Sequence, residues 1–448
     1  MFSAESRNYY KKLILLAVPI SLGQVGHMMT GMADTAMVGQ LGKTELAGVA
    51  FATNVFMFLF IFGIGLSLGI TTMVGQAYGS NNLTKCRSLL QQGLLFYVLV
   101  GALLTVLNLA LIPLMPYMGQ EADVVKVAAP FYFYIACSTL PVMAFSGLKQ
   151  FLEGMGKTVP PMLVSLLGNL LNVGLNYVFI FGAWGIEPMG AEGAGLATLI
   201  ARIFMFVGLA LYMYWHTELR FYFQGFSKFK PDWAVLSELG RVGLPIGLQF
   251  FMEVATFALG AIMMGWLGKV PQSAHQIAIT LAATTFLAAS GIGTAATIIL
   301  SNLKGQQQYG QLRKAGYAAF RLVLVFMGFT AIGFAVFRDV LPTYFINEND
   351  TEVAAIASGL LVVAALFQLS DGLQMVGISC LRGLGDVEKP MWMAFVCYWV
   401  IALPSSYIFA FVLGFGPPGI WYGYLTGLTL AGVAFFVRFT LLTKRLTN

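Results

Sequence analysis

The feature that most constrains this 448-residue chain is a series of long apolar stretches separated by short polar segments. A stretch of about 20 apolar residues crosses the roughly 30 Å hydrocarbon core of a bilayer when it forms an α-helix. Such stretches recur about twelve times along the chain. Only 10% of the residues are charged, against about 25% in an ordinary soluble domain. We therefore predict an all-α polytopic membrane protein with about twelve transmembrane helices.

The first predicted helix follows a short polar segment without a small-residue cleavage site, so we expect it to be retained rather than removed as a signal peptide. The predicted helices cover roughly 13–38, 46–76, 86–116, 124–152, 159–183, 192–215, 233–266, 274–303, 312–342, 353–382, 388–414 and 419–443.

Lysine and arginine are unevenly distributed between the two sides of these helices. When the connections alternate between the sides, fifteen of these residues fall on one side and four on the other. Basic connections stay in the cytoplasm. We therefore expect a multi-pass protein of the bacterial inner membrane with both termini in the cytoplasm. The Lys and Arg residues behind the net charge of +6 are spread between the helices rather than gathered on one face, which argues against nucleic-acid binding.

The two halves of the sequence repeat one another. A constant shift, 245 − 19 = 226, relates Pro19/Pro245, Gly42/Gly268, Lys43/Lys269, Gly65/Gly291, Thr71/Thr297 and Gly79/Gly305. We predict two six-helix bundles with pseudo-two-fold symmetry, an N-lobe at 1–215 and a C-lobe at 233–448, joined by a cytoplasmic linker at 216–232. Because six spans return the chain to its starting side, the lobes are parallel repeats, and a substrate is expected to bind between them near the bilayer midplane.

A second shift, 383 − 154 = 229, relates two glycine pairs further along each half. Gly154 and Gly156 recur as Gly383 and Gly385, and both pairs follow a predicted helix in a cytoplasmic turn. We expect a positive φ at these positions, a conformation that glycine adopts readily.

Cysteine and histidine usage excludes several functions. The four cysteines are Cys86, Cys137, Cys380 and Cys397. They lie far apart and no histidine accompanies them, so the sequence predicts neither a zinc site nor a disulfide framework. No activated serine or cysteine and no clustered metal ligands are present. We therefore expect a protein that is not an enzyme and carries no cofactor.

A few ionisable side chains fall inside predicted helices, and these are His27, Asp34, Arg202, Glu253, Arg321 and Asp371. A charge at the centre of a membrane helix costs about 2.5–3.5 kcal/mol on insertion scales, so such residues normally face a bundle interior and mark an ion or proton path. The alternatives are a protonated carboxyl group bonded to a neighbouring helix, a neutral imidazole bonded to a backbone carbonyl, and arginines that snorkel to the interface.

The fifth helix presents asparagines along one face. Asn169, Asn172 and Asn176 are three and four residues apart. Oxygens of Asn172, Asn176, Thr198 and Asp34 would form a singly negative site suited to Na⁺, because hard cations prefer oxygen ligands. Amide contacts between helices are the alternative. The repeat maps Glu253 onto position 253 − 226 = 27, which is His27, so the lobes share a scaffold but differ in charge.

Over essentially its whole length the chain resembles the multidrug and toxic compound extrusion family, in its bacterial NorM-like branch. The resemblance rests on residues 32–39 (MADTAMVG), 76–79 (QAYG), 171–176 (LNVGLN), 250–253 (FFME), 274–278 (AHQIA), 368–371 (QLSD) and 381–386 (LRGLGD). It implies twelve helices in two lobes around a V-shaped cleft, and export of bulky, often cationic compounds in exchange for Na⁺ or H⁺.

The resemblance also implies roles for individual residues. Asp34, Glu253 and Asp371 correspond to carboxylates that are required for transport in such relatives. The ion site of the N-lobe falls on Asp34, Asn172, Asn176 and Thr198, and a second cation site falls on Glu253 and Asp371. Gln276 falls near the substrate cleft, and we expect His27 there as well.

Two departures bear on the coupling ion. Asn176 stands where the proton-linked DinF-like branch has Asp, which disfavours pure proton coupling. Phe367 stands where some Na⁺-linked relatives have Tyr, which argues against Na⁺ at Asp371. The sequence leaves Na⁺ and H⁺ open.

The function predicted from the sequence is secondary active multidrug efflux by alternating access. The protein is expected to act as a monomer in the lipid bilayer on small-molecule drugs or toxic organic cations. The alternatives are a flippase for a lipid-linked saccharide or peptide, which the buried acids disfavour, and a channel, which would not move a second solute uphill.

Overall fold

The structure is a computed structural model that describes residues 4–224, 230–346 and 350–447. Residues 225–229, which belong to the predicted linker, lie outside the described residues. Throughout the described part the regular structure is helical, without strands. The α-helices are α1 (Ala4–Gly39), α2 (Lys43–Ser67), α3 (Gly69–Gly79), α4 (Leu83–Leu109), α5 (Ala122–Cys137), α6 (Thr139–Gly154), α7 (Val159–Phe181), α8 (Ala191–Trp215), α9 (Thr217–Phe223), α10 (Trp233–Trp266), α11 (Lys269–Gly305), α12 (Tyr309–Val336), α13 (Thr351–Gly383), α14 (Glu388–Phe395), α15 (Leu403–Tyr407) and α16 (Pro417–Thr447).

Within the described residues, 12 helical stretches are long and apolar enough to cross a membrane, which confirms the predicted fold class. Two spans consist of two helices each: α2 continues into α3 at Leu68, and α5 continues into α6 at Ser138. A third span contains α14, the π-helical segment Val396–Ala402, α15 and a second π-helical segment, Ile408–Val412. Single-turn π-helical insertions are frequent at functional sites.

The third and ninth predicted helices were too long. α4 ends at Leu109 rather than near residue 116, and α12 ends at Val336 rather than near residue 342. In both places the chain turns into a short 3₁₀-helix that contains proline, Ile112–Tyr117 in the first half and Leu341–Tyr344 in the second. Proline lacks the N–H that an α-helix needs, so apolar residues here extend the hydropathy signal without extending the helix.

The chain divides into two compact units. One unit, called here the N-unit, is Leu22–Gly247, and the other, the C-unit, is Met1–Ser21 together with Leu248–Asn448. The two divisions fall inside α1 and α10, and they are separated by 247 − 21 = 226 residues, the shift between the repeated halves. Each unit therefore receives the first part of one long helix from the other half of the sequence.

Glycines at repeated positions allow close helix packing in both units. A Cβ at Gly154 would lie 2.8 Å from the carbonyl oxygen of Thr71, and a Cβ at Gly383 would lie 2.9 Å from that of Thr297. These two glycines end α6 and α13 and do not have positive φ, so that part of the prediction was wrong. The glycines two residues later do have it, with φ of 80° at Gly156 and 74° at Gly385.

Replacing either close-packed glycine by alanine is expected to destabilise the protein. The added methyl group meets backbone that cannot move away, and overpacking of this kind costs about 1–3 kcal/mol. Gly383→Ala should lower the melting temperature of the purified protein in detergent. The matched control is Gly174→Ala in α7, where a Cβ has nothing within 4 Å. Equal melting temperatures for the two variants would contradict the packing assignment.

Candidate functional site

The N-unit brings together the four polar residues that the sequence assigns to its ion site. Asp34 lies on α1, Asn172 and Asn176 lie one turn apart on α7, and Thr198 lies on α8. Asn176 Nδ2 donates to Asp34 Oδ1 at 2.5 Å, and Thr198 Oγ1 lies 3.3 Å from the Asn172 amide. With its amide turned to satisfy both partners, Asn172 donates to Asp34 Oδ1 at 2.9 Å and accepts from the Thr198 hydroxyl. The cluster thus links three helices through one carboxylate.

One oxygen of this cluster has no hydrogen-bond partner among the described residues. Asn176 is fully buried, and its Oδ1 accepts no hydrogen bond there. A buried acceptor left unpaired costs about 1–3 kcal/mol. This oxygen, the Asp34 carboxylate and the Thr198 hydroxyl are hard ligands. They could coordinate a small cation or accept hydrogen bonds from water.

Arg202 is buried and does not snorkel. Its side chain on α8 is 9% exposed, and Nη1 donates to Ser138 Oγ at 2.7 Å. The guanidinium lies over the rings of Phe56 and Phe60, 5.5 and 4.9 Å from their centroids. It interacts electrostatically with Asp34. The charge of Asp34 is therefore opposed by a resident cation of the same unit, a feature that the sequence-based description of a singly negative site missed.

The C-unit holds a second buried polar cluster around Glu253 on α10 and Asp371 on α13. Glu253 Oε1 accepts from Gln374 Nε2 at 2.8 Å, and Glu253 Oε2 accepts from Gln249 Nε2 at 3.5 Å. Arg382 donates to Gln249 Oε1. The two carboxyl groups lie close enough to interact electrostatically. All five side chains are buried, so water contributes little to the solvation of the three charged ones.

Three of these partners were missed from the sequence. Gln249 and Gln374 lie four and three residues from the two acids on the same helices, and this spacing is a readable signal of a shared face. Arg382 was counted among the fifteen cytoplasmic basic residues. The structure instead buries it, with its guanidinium 4.9 Å from the centroid of the Phe250 ring and in electrostatic contact with Glu253.

The two residues expected near a substrate cleft have accessible side chains. His27 lies on α1 within the N-unit, and Gln276 lies on α11 within the C-unit. Gln276 Nε2 donates to Thr280 Oγ1 at 3.5 Å. The neighbouring His275 is buried and accepts at Nδ1 from Trp421 Nε1 at 3.1 Å, so it holds α11 against α16. A role of His27 and Gln276 in binding substrate stays a prediction.

The two clusters differ in net charge when their carboxyl groups are ionised. Asp34 and Arg202 sum to −1 + 1 = 0 in the N-unit. Glu253, Asp371 and Arg382 sum to −2 + 1 = −1 in the C-unit. One monovalent cation or one proton therefore brings the C-unit cluster to neutrality, whereas it would leave the N-unit cluster positive. Within the described residues, no group of three or more His, Cys, Asp or Glu side chains is arranged to hold a metal ion.

Comparisons with known proteins converge on one family of membrane proteins. The sequence profile of the MatE family matches residues 19–178 and 245–408, once in each half of the repeat. The probable multidrug resistance protein NorM of Agrobacterium fabrum is 32% identical over 441 residues, covering 98% of this chain and 95% of its own. The multidrug resistance protein MdtK of Yersinia enterocolitica is 32% identical over 446 residues, covering 97% and 96%.

A solved structure shares the fold. The outward-facing conformation of a multidrug resistance MATE family transporter of the MOP superfamily has a TM-score of 0.90 and 20% sequence identity to this chain. The similarity covers 98% of this chain and 97% of that one. At this identity the comparison establishes the arrangement of helices and says nothing of the transported compound.

Proposed function

Because this chain belongs to the multidrug and toxic compound extrusion family of membrane transporters, we propose that it exports bulky hydrophobic or cationic compounds in exchange for Na⁺ or H⁺. The observation that carries the proposal is the C-unit cluster, in which two buried carboxylates interact with each other and one of them, Glu253, also interacts with Arg382. The relatives named above as multidrug resistance proteins support the class of exported compound.

The driving force follows from the charge of the coupling ion. One monovalent cation that moves inward across about 100 mV releases about 2.3 kcal/mol. That energy sustains a roughly 50-fold gradient of a neutral compound. For a monovalent cationic compound leaving one-for-one, the electrical terms cancel, and the chemical gradient of the coupling ion alone drives export.

Exchange requires that the ion and the compound favour different conformations of the protein. A ligand shifts a conformational equilibrium only by its difference in affinity for the two states. We propose that the outward-open state binds the cation at Glu253 and Asp371, and that the inward-open state binds the compound. When the cation binds, the C-unit cluster loses its net negative charge. This local change alters which of the two conformations the protein favours.

The N-unit cluster is proposed to act differently. Asp34 is already opposed by Arg202, so a cation there adds an uncompensated charge to a buried site. We propose that Asp34, Asn172, Asn176 and Thr198 form a polar network that responds to protonation of Asp34 rather than to a bound cation. We also propose a monomeric protein of the inner membrane with both termini in the cytoplasm, because the even number of spans puts the termini on one side and the basic connections assign that side to the cytoplasm.

Export by the purified protein in proteoliposomes tests this function. Ethidium movement is followed with a Na⁺ gradient or a pH gradient imposed separately at zero membrane potential. One-for-one exchange in a tenfold Na⁺ gradient should sustain an ethidium gradient of about tenfold. If neither gradient moves ethidium, drug exchange is abandoned, and movement of a lipid-linked saccharide or peptide across the bilayer becomes the next assay.

A further inference from the structure

Among the buried side-chain oxygens of the C-unit that have no hydrogen-bond partner in the described residues, two belong to side chains that interact with the carboxylates. They are Gln374 Oε1 and the hydroxyl of Tyr398, and each side chain is only 1% exposed. A buried polar atom without a partner costs free energy and is rare in folded proteins. Two such atoms in one cluster call for a shared explanation.

Gln374 contacts one of the acids directly, and Tyr398 interacts electrostatically with both. Gln374 follows Asp371 by one turn of α13, and its Nε2 donates to Glu253 Oε1. Because Oε1 is bonded to the same carbon as Nε2, it lies next to that carboxylate. Tyr398 interacts electrostatically with both Glu253 and Asp371. It belongs to the π-helical segment Val396–Ala402, where the extra residue per turn changes the direction of the side chains.

Phe367, four residues before Asp371 on α13, supplies no oxygen. Phe367 is buried, and its ring packs edge-on against Phe257 and Trp421, with centroids 6.2 and 5.4 Å away. It therefore belongs to an apolar aromatic cluster. A cation that sheds its water at this cluster must take its neutral oxygen ligands from elsewhere.

We propose that Gln374 Oε1 and the Tyr398 hydroxyl oxygen are cation ligands that complete, with the carboxylates of Glu253 and Asp371, a four-oxygen site for a dehydrated Na⁺. This inference rests on the proposed function and names the ligands of its coupling site. All four ligands are hard oxygen donors, which suit an alkali cation. The neutral pair adds coordination without adding charge, so the cluster keeps the net charge of −1 that one monovalent ion balances.

Tyr398→Phe is the most informative variant, because it removes only the unpaired hydroxyl. Without Na⁺ its melting temperature should equal or exceed that of the unsubstituted protein, since no hydrogen bond among the described residues is lost. Its affinity for Na⁺ should fall about tenfold. Tyr424→Phe is the control: its hydroxyl is also buried in the C-unit but donates to Phe257 O at 3.4 Å, and its loss should leave the affinity unchanged.

A second variant, Gln374→Met, removes the other neutral ligand with little change in volume. It should also weaken Na⁺ binding about tenfold or more, and the double variant with Tyr398→Phe should abolish measurable binding. Binding is measured on the full-length protein in detergent with radioactive Na⁺ and by the Na⁺-dependent change in melting temperature, at constant ionic strength and pH. Size-exclusion profiles without Na⁺ establish that each variant is folded.

The outcomes separate this inference from the proposed function. If both variants bind Na⁺ like the unsubstituted protein while Asp371→Asn does not, the ligand assignment is wrong and the coupling site stands. If the unsubstituted protein binds no Na⁺ but exports ethidium in a pH gradient, the ligand assignment also fails and proton exchange remains. If Tyr398→Phe loses Na⁺-driven export and keeps export driven by a pH gradient, the assignment is supported directly.

Discussion

Asp371→Asn and Glu253→Gln are each expected to eliminate Na⁺-driven ethidium export. Either substitution removes one negative charge, so that the C-unit cluster changes from −1 to 0 and has no charge left for a monovalent cation to balance. In a tenfold Na⁺ gradient, the ethidium gradient should fall from about tenfold to none. The double variant should behave like either single variant, because one neutralised carboxylate is sufficient.

Controls for this prediction come from the other unit and from the surface. Asp123→Asn changes an exposed carboxylate that pairs with Lys126, and it should export ethidium normally. Asp34→Asn should retain Na⁺ binding while export declines, because Arg202 is left without its opposing charge. If the Asp371→Asn variant kept full Na⁺-driven export, Asp371 would not belong to the coupling site.

Arg382→Met is expected to cause the largest loss of stability. It leaves the buried Glu253 carboxylate without its positive partner, and removal of one member of a buried ionic group costs about 3–5 kcal/mol. The melting temperature of the purified protein in detergent should fall substantially. The double variant Glu253→Gln/Arg382→Met should recover most of that loss, because only one carboxylate remains, and it should still fail to export ethidium.

Arg438→Met provides the matched comparison. Arg438 Nε donates to Asp386 Oδ2 at 2.6 Å, and both side chains are partly exposed. Partly solvated pairs contribute much less than buried ones, about 0–1 kcal/mol when fully exposed. Arg438→Met should therefore melt above Arg382→Met. If the order is reversed, or if the double variant melts no higher than Arg382→Met, Arg382 does not balance the charge of Glu253.

Hydropathy predicted the spans well because each span must satisfy its own backbone hydrogen bonds, and apolar length is a local property. The ends of α4 and α12 were placed too late because their apolar residues continue into proline-containing 3₁₀-helices. The asparagine spacing in α7 predicted a polar face, and the structure does bring Asn172 and Asn176 into contact with Asp34.

Other parts of the sites depend on contacts that no local pattern contains. The electrostatic interaction of Arg202 on α8 with Asp34 on α1 depends on tertiary packing, and the sequence offered no reason to choose it over snorkelling. Arg382 satisfied the rule for cytoplasmic basic residues and was therefore overlooked as a buried charge. Tyr398 lies in a π-helical segment, so the regular helical period could not have predicted the direction of its side chain.

The most direct test of coupled exchange is a counterflow measurement of the two solutes at once. Proteoliposomes loaded with ethidium and equal Na⁺ on both sides are diluted into ethidium-free buffer at zero potential, and uptake of radioactive Na⁺ is recorded. Exchange through the C-unit cluster predicts that ethidium leaving the vesicles drives Na⁺ inward above its equilibrium level, and that Asp371→Asn shows no such uptake. Ethidium efflux that proceeds at full rate without any opposing movement of Na⁺ or H⁺ would contradict the account.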